Sequence, residues 1–159
     1  MMKSTPKNRM KMTMPQCSEM TVEDIDAALD LWHRCEGMGL SDADQPEALK
    51  SFLQRNPGLS FSAIEDGELI GTCLCGTDGR RGYLYHLAID ARCRKRGIGS
   101  ELVERTLGAL RRQGIHKCHI MVYAVNQTGL AFWQQGGWVR RPEIVLLSRD
   151  VPTLSGETA

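Results

Sequence analysis

Six residues near the middle of the chain, Arg94-Lys95-Arg96-Gly97-Ile98-Gly99, combine positive charge with glycine at a spacing that suits an anion. Before them runs the apolar and aromatic stretch Tyr83-Leu84-Tyr85-His86-Leu87-Ala88-Ile89. After them Leu102, Val103, Thr106, Leu107 and Leu110 recur at helical spacing. Read as strand, turn and helix, this puts the basic turn at a helix N-terminus, where backbone N–H groups lack partners and partial positive charge gathers. Gly97 and Gly99 remove side chains where a phosphate would meet the backbone, and Arg94, Lys95 and Arg96 add charge for the same anion. A pyrophosphate suits such a turn. A solvated basic turn closed by glycine accounts for the same six residues equally well.

Arg94-x-x-Gly97-x-Gly99 after Leu87-Ala88-Ile89-Asp90 resembles the Gln/Arg-x-x-Gly-x-Gly/Ala signature of the GNAT superfamily, the acyl-CoA-dependent N-acetyltransferases. A second stretch, Asn126 followed by Leu130-Ala131-Phe132-Trp133 and Gly137-Trp138, is similar to the family's asparagine-to-tyrosine motif. The likeness spans roughly residues 16 to 149. It implies acetyl-CoA as co-substrate, with no metal, and a primary amine as acceptor, attacking directly in a ternary complex without an acyl-enzyme. Backbone at Leu87, Ala88 and Ile89 would pair with the pantetheine arm, and Arg94, Lys95, Arg96, Gly97, Ile98 and Gly99 would surround the pyrophosphate. Asn126 would touch the cofactor arm while also starting a helix.

Trp133 stands where the family carries a tyrosine that protonates the leaving thiolate. An indole N–H donates a hydrogen bond but cannot supply a proton, whereas a phenol with a pKa of about 10 can. Tyr85 is the first substitute and Tyr123 the second, though aromatics on strands are commonly structural. Strand parity puts Tyr83, Tyr85, Leu87 and Ile89 on one face and His86 on the other, as a packing or hydrogen-bonded residue. No general base is identified, because Met121 stands where members acting on protein N-termini carry a glutamate. The alternative to an enzyme is an acyl-CoA-binding sensor with the same fold and little or no turnover. In the family the loop between the first two helices, here Gly37 to Asp44, helps shape the acceptor pocket; a plain linker is the other reading.

The elements that would position these residues follow from local signals. Residues 16 to 20 make a short strand. Thr21 with Asp24 opens a helix to about Cys35, and Asp44 with Pro46 opens a second to Arg55. Ser60–Glu65 and Leu69–Gly76 are strands joined by the hairpin signal Asp66-Gly67, and a third strand runs from Gly82 to Ile89. A strand over His116–Tyr123, a helix over Thr128–Gln135 and a hairpin of Trp138–Arg140 with Glu143–Ser148 complete the chain. The order indicates an α+β (mixed α/β) chain. The resemblance implies the GNAT fold, a mostly antiparallel splayed sheet of six to seven strands flanked by about four helices.

Size and composition narrow the classes. The 159 residues, 42% apolar and 25% charged, suit one soluble domain over residues 15–150, with a basic tail over 1–14 and a short tail over 151–159. No apolar run approaches the ~20 residues that span a bilayer, and no secretory signal core is visible near the start, so a cytoplasmic protein is expected. Four of the 20 basic residues (Lys3, Lys7, Arg9, Lys11) sit in the tail, leaving sixteen against 19 acids, which argues against a nucleic-acid partner. The six cysteines form no C-x-x-C pair, which argues against zinc and agrees with a reducing compartment. Homodimers are common in the family.

Overall fold

A computed structural model describes residues 14–154; the basic tail expected over residues 1–14 lies outside them except for Met14, as do residues 155–159. The described residues fall into two units, the first ending at Tyr123 and the second beginning at Ala124.

The first unit is built on one sheet in the order β1-β2-β3-β4-β5, formed by β1 (Gln16–Glu19), β2 (Phe61–Glu65), β3 (Glu68–Thr77), β4 (Gly82–Ile89) and β5 (Cys118–Ile120). Neighbours are antiparallel except for β4 and β5, which are parallel. A parallel pair needs a crossover, and α3 (Ile98–Arg112) supplies it. α1 (Ile25–Arg34) and α2 (Pro46–Arg55) cover one face, where Ala28, Leu31, Trp32, Leu49, Leu53, Leu74 and Ala88 form the main core cluster. α3 lies on the other face, with Leu102 against Gly71. Cys73 and Cys75 are fully buried, and burial pushes the Cys73 thiol up to about 12, so it behaves as a small core residue.

Most expected elements are present, with instructive departures. Thr21 and Asp24 form the expected capping box, Thr21 N–H donating to Asp24 Oδ2 at 2.9 Å, but a 3₁₀ turn at Val22–Asp24 precedes α1. The cap of α2 is Gln45 and not Asp44, whose carboxylate is engaged elsewhere. β5 is shorter than expected. The hairpin expected over Trp138–Arg140 and Glu143–Ser148 is not formed, so the sheet has five strands and not six or seven. A local turn replaces it: Ile144 N–H donates to Arg141 C=O at 3.2 Å, and Arg141 Nε pairs with Glu143 at 2.5 Å.

Asp90 closes β4 and ties three elements together. Its N–H donates to Ile70 C=O at 2.8 Å, and its carboxylate accepts from Arg92 N and Nε, both at 3.0 Å, and from Arg34 Nη2 of α1 at 3.2 Å. The Arg92 guanidinium beside it holds this carboxyl well below the usual carboxylate range, against the opposing effect of burial. A folded-state pKa below the unfolded value means that the stabilisation is complete above about pH 4 and is lost as the pH falls below it. Asp90→Asn is therefore expected to be about 1–2 kcal/mol less stable at pH 7, because both arginines are solvent-exposed. The gap in urea midpoint between the two proteins should narrow as the pH is lowered from about 4 to 2.

Candidate active site

β5 pairs with β4 only at Gly82↔Cys118, Tyr83↔His119 and Leu84↔Ile120. Beyond Leu84 and Ile120 the two strands separate, and from Tyr85 to Ile89 β4 has only β3 as ladder partner among the described residues. One backbone edge of β4 is therefore open. The ladder with β3 is also interrupted. Thr72 pairs with Ala88 and Leu74 with Tyr85, so Cys73 faces two residues, His86 and Leu87. This is a β-bulge, with His86 at φ 47, a backbone conformation uncommon for a residue with a side chain.

The bulge overturns the expected parity. His86 lies on the same face as Tyr85: the Tyr85 ring meets Phe52 of α2 edge-on at 6.0 Å, and the His86 ring lies 4.6 Å from that of Trp32 of α1. Ile89 instead turns toward Gly71 and Leu102 on the α3 face. Polar groups hold the bulge. Trp32 Nε1 donates to Thr72 Oγ1 at 2.8 Å, and Thr72 Oγ1 donates to His86 C=O at 3.0 Å. His86 Nε2 donates to Asp44 Oδ1 at 2.6 Å, while Asp44 Oδ2 accepts from Ser41 N–H at 2.8 Å.

From Ile89 the chain passes through Asp90 and a 3₁₀ turn at Ala91–Cys93 into the basic turn. Arg94 is exposed and bends back, its Nε donating to Ile89 C=O at 3.2 Å. Lys95 (φ 61) and Gly97 (φ 81) both take left-handed backbone, and Gly97 is the N-cap of α3. No side chain caps this helix. The first-turn N–H groups, of Ile98, Gly99 and Ser100, have no intrahelical acceptor, and nothing stands within 4 Å of where a Gly97 Cβ would be. The cradle fits a pyrophosphate by charge and by space. Arg96 has another engagement: Nη1 and Nη2 donate to the two carboxylate oxygens of Glu65 at 3.1 and 2.5 Å, fastening the turn to β2.

Residues 25–138 match the model of the acetyltransferase (GNAT) family. The chain belongs to this family. An acetyltransferase of Pectobacterium atrosepticum is 32% identical over 114 residues, which cover 71% of this chain and 79% of that protein. Among solved structures, Ard1 from Thermoplasma volcanium superposes with a TM-score of 0.70 at 17% identity, covering 79% of this chain and 82% of that one. PaiA N-acetyltransferase from Thermoplasma acidophilum, solved with coenzyme A, gives 0.68 at 18% identity, covering 77% and 88%. Acetyl transfer from acetyl-CoA is the reaction class of this GNAT protein.

The two tyrosines proposed as acids sit differently in the GNAT scaffold. Tyr85 is half-buried against Phe52, and burial pushes its phenol up. Tyr123 is exposed, its hydroxyl so near Gly39 that a Cβ there would collide with it. In the second unit Asn126 caps α4 (Gln127–Gln135), its Oδ1 accepting from Gly129 N–H at 2.9 Å. Trp133 is buried between Phe132 and Trp138, at 5.1 and 5.0 Å, both edge-on. Among the described residues no group of three or more His, Cys, Asp or Glu is gathered as a metal would require, and no helix is long and apolar enough to cross a membrane. Sequence reasoning took Asp44 as a helix cap and missed Ser41 and Glu65; the partners of Asp44 and Glu65 lie 42 and 31 residues away. A Gly97→Ala variant, forced to keep φ 81, should lose about 1 kcal/mol of stability in urea unfolding.

Proposed function

We propose that this GNAT protein is an N-acetyltransferase whose acceptor is a primary amine. The observation that carries the reading is the open β4 edge from Tyr85 to Ile89, followed through the Ala91–Cys93 turn by a basic turn and an uncapped helix N-terminus. Backbone groups at Leu87, Ala88 and Ile89 are assigned by resemblance to hold the pantetheine arm as a missing strand would be held, beside the Arg94 Nε already on the Ile89 C=O. The N–H groups of Ile98 and Gly99, with exposed Arg94 and Lys95, receive the pyrophosphate. Arg96 acts one step back, holding the turn through Glu65. Asn126 and Trp133 are assigned to the cofactor arm by resemblance, and residues 15–150 are assigned to the GNAT domain. The bound co-substrate supplies the acetyl group as a thioester, and the amine attacks it directly.

This chain's residues must then orient the thioester and return a proton to the departing sulfur. A backbone N–H at the bulged strand can polarise the carbonyl. For the proton, the exposed Tyr123 is preferred to Tyr85, whose burial makes it a poorer acid. No side chain is assigned as base, so water in the notch where β4 and β5 part beyond Leu84 and Ile120 takes the proton from the amine.

Calorimetric titration should give micromolar binding of acetyl-CoA to wild type, weakened at least about tenfold, ~1.4 kcal/mol, in Arg94→Ala/Lys95→Ala. Thiol release should follow with at least one amine from a panel of amino acids, polyamines, aminoglycosides and lysine peptides. Absence of binding would end the reading, and binding without thiol release on any amine would favour the acyl-CoA sensor. Tyr123→Phe should lower kcat by about 100-fold with acetyl-CoA affinity kept, whereas Tyr85→Phe should change it little.

A further inference from the structure

The segment joining α1 to α2 touches both banks of the notch. At one end Asp44 meets His86 on β4. Five residues earlier Gly39 lies against the Tyr123 hydroxyl, beyond the end of β5. Between and beside these points Met38 and Leu40 turn inward and pack on the core cluster. The segment therefore crosses from the strand with the open edge to the tyrosine on the opposite side.

The Asp44–His86 contact is a demanding one to place there. Asp44 is 8% exposed, and a carboxylate taken out of water is costly unless its oxygens are satisfied. Both are: Oδ1 by His86 Nε2 and Oδ2 by Ser41 N–H. Because a carboxylate only accepts, Nε2 carries the hydrogen, and in the neutral ring Nδ1 is the acceptor. His86 itself keeps a left-handed backbone that costs of order 1 kcal/mol or more. Three separate elements hold it there: Trp32 of α1 through its ring, Thr72 of β3 through its hydroxyl, and Asp44 through its carboxylate. A bulge needed only to open the sheet would not require its side chain to bond a buried carboxylate. This side chain joins the bulge to the segment that crosses the notch.

We propose that His86 and Asp44 are positioning residues that pin the Gly39–Asp44 segment across the notch as the acceptor-side wall, with Gly39 kept bare so that the wall can close on Tyr123. This rests on the acetyltransferase reading above and adds to it the residues that fix the acceptor relative to the thioester. The proposal separates two affinities. Losing the pair frees the wall, while the bulge keeps its contacts with Trp32 and Thr72 and the anion cradle keeps Arg96 and Glu65.

The test is His86→Phe, which keeps a ring against Trp32 and the same left-handed backbone but cannot bond Asp44, with His86→Gln as the variant that restores a donor. Hydrogen exchange of peptides covering residues 37–44 is expected to quicken at least tenfold in His86→Phe and to recover in part in His86→Gln. With the panel amine that wild type acetylates fastest, the amine KM should rise at least fivefold in His86→Phe, with the acetyl-CoA Kd moving no more than about twofold. Unchanged exchange over 37–44, or an acetyl-CoA Kd that moves as far as the amine KM, would overturn the proposal. A wild-type protein inactive on every amine would instead end the reading of the previous subsection and the acceptor role built on it, while the exchange result still decides whether the pair anchors the segment.

Discussion

The separation of β4 from β5 beyond Leu84 is the constraint on which the rest of the site depends. A sheet strand normally has two ladder partners, and leaving one side empty exposes N–H and C=O groups that invite pairing by another chain. Here the empty edge is five residues long, Tyr85 to Ile89, and it is bent by an extra residue that breaks its register with β3. A bent, short edge is a poor template for a second sheet and a good one for a slender, extended ligand that brings its own amide groups. The bulge both protects the edge and shapes it. Its cost, a left-handed histidine, is offset locally by Trp32, Thr72 and Asp44, each from a different element.

The anion cradle is fixed by a different division of labour. Of the three adjacent basic residues, Arg96 is turned back to Glu65 and Arg94 to the Ile89 carbonyl, whereas Lys95 is exposed on left-handed backbone. A bidentate pair between partly buried side chains is worth more as geometry than as net energy. Its effect is to set the direction in which the first turn of α3 points. On the proposed chemistry the uncapped N–H groups then meet the anion, helped by whatever charge is free to move. Counting basic residues in the turn would overstate the charge available to a ligand.

Much of this was legible in the sequence because it is local. The strand, glycine-bearing turn and helix from Gly82 to Arg112 follow from periodicity and from residues with special backbone freedom, and the Asp66-Gly67 hairpin from turn chemistry. What was not legible is where periodicity is deliberately broken. Alternation placed His86 opposite Tyr85, and nothing in Tyr-His-Leu announces the extra residue that brings them to the same face. Asp44 has the position and chemistry of a helix cap, but its carboxylate is taken by Ser41 N–H and by His86 of β4, and Gln45 caps α2 instead. The final hairpin failed for the converse reason. Val139, Val145 and Leu147 have strand character, but strand propensity is realised only against a partner ladder, and among the described residues they have none.

The tryptophan at 133 bears on where the reaction's proton comes from. Its indole is 7% exposed in an edge-on cluster with Phe132 and Trp138, so this ring serves the packing of α4 and not proton transfer. The chain has three tyrosines to take over. Tyr83 lies on the paired part of β4, its ring 5.8 Å from that of His119, where the two strands are still joined. Tyr85 is on the open stretch but faces α2, and burial raises the pH at which it would give up a proton. Tyr123 alone combines exposure with a position past the end of β5, under a glycine that leaves room for its hydroxyl. On the proposed chemistry the acid has moved to the residue that the acceptor-side wall closes upon, so that seating the acceptor and supplying the proton become one event.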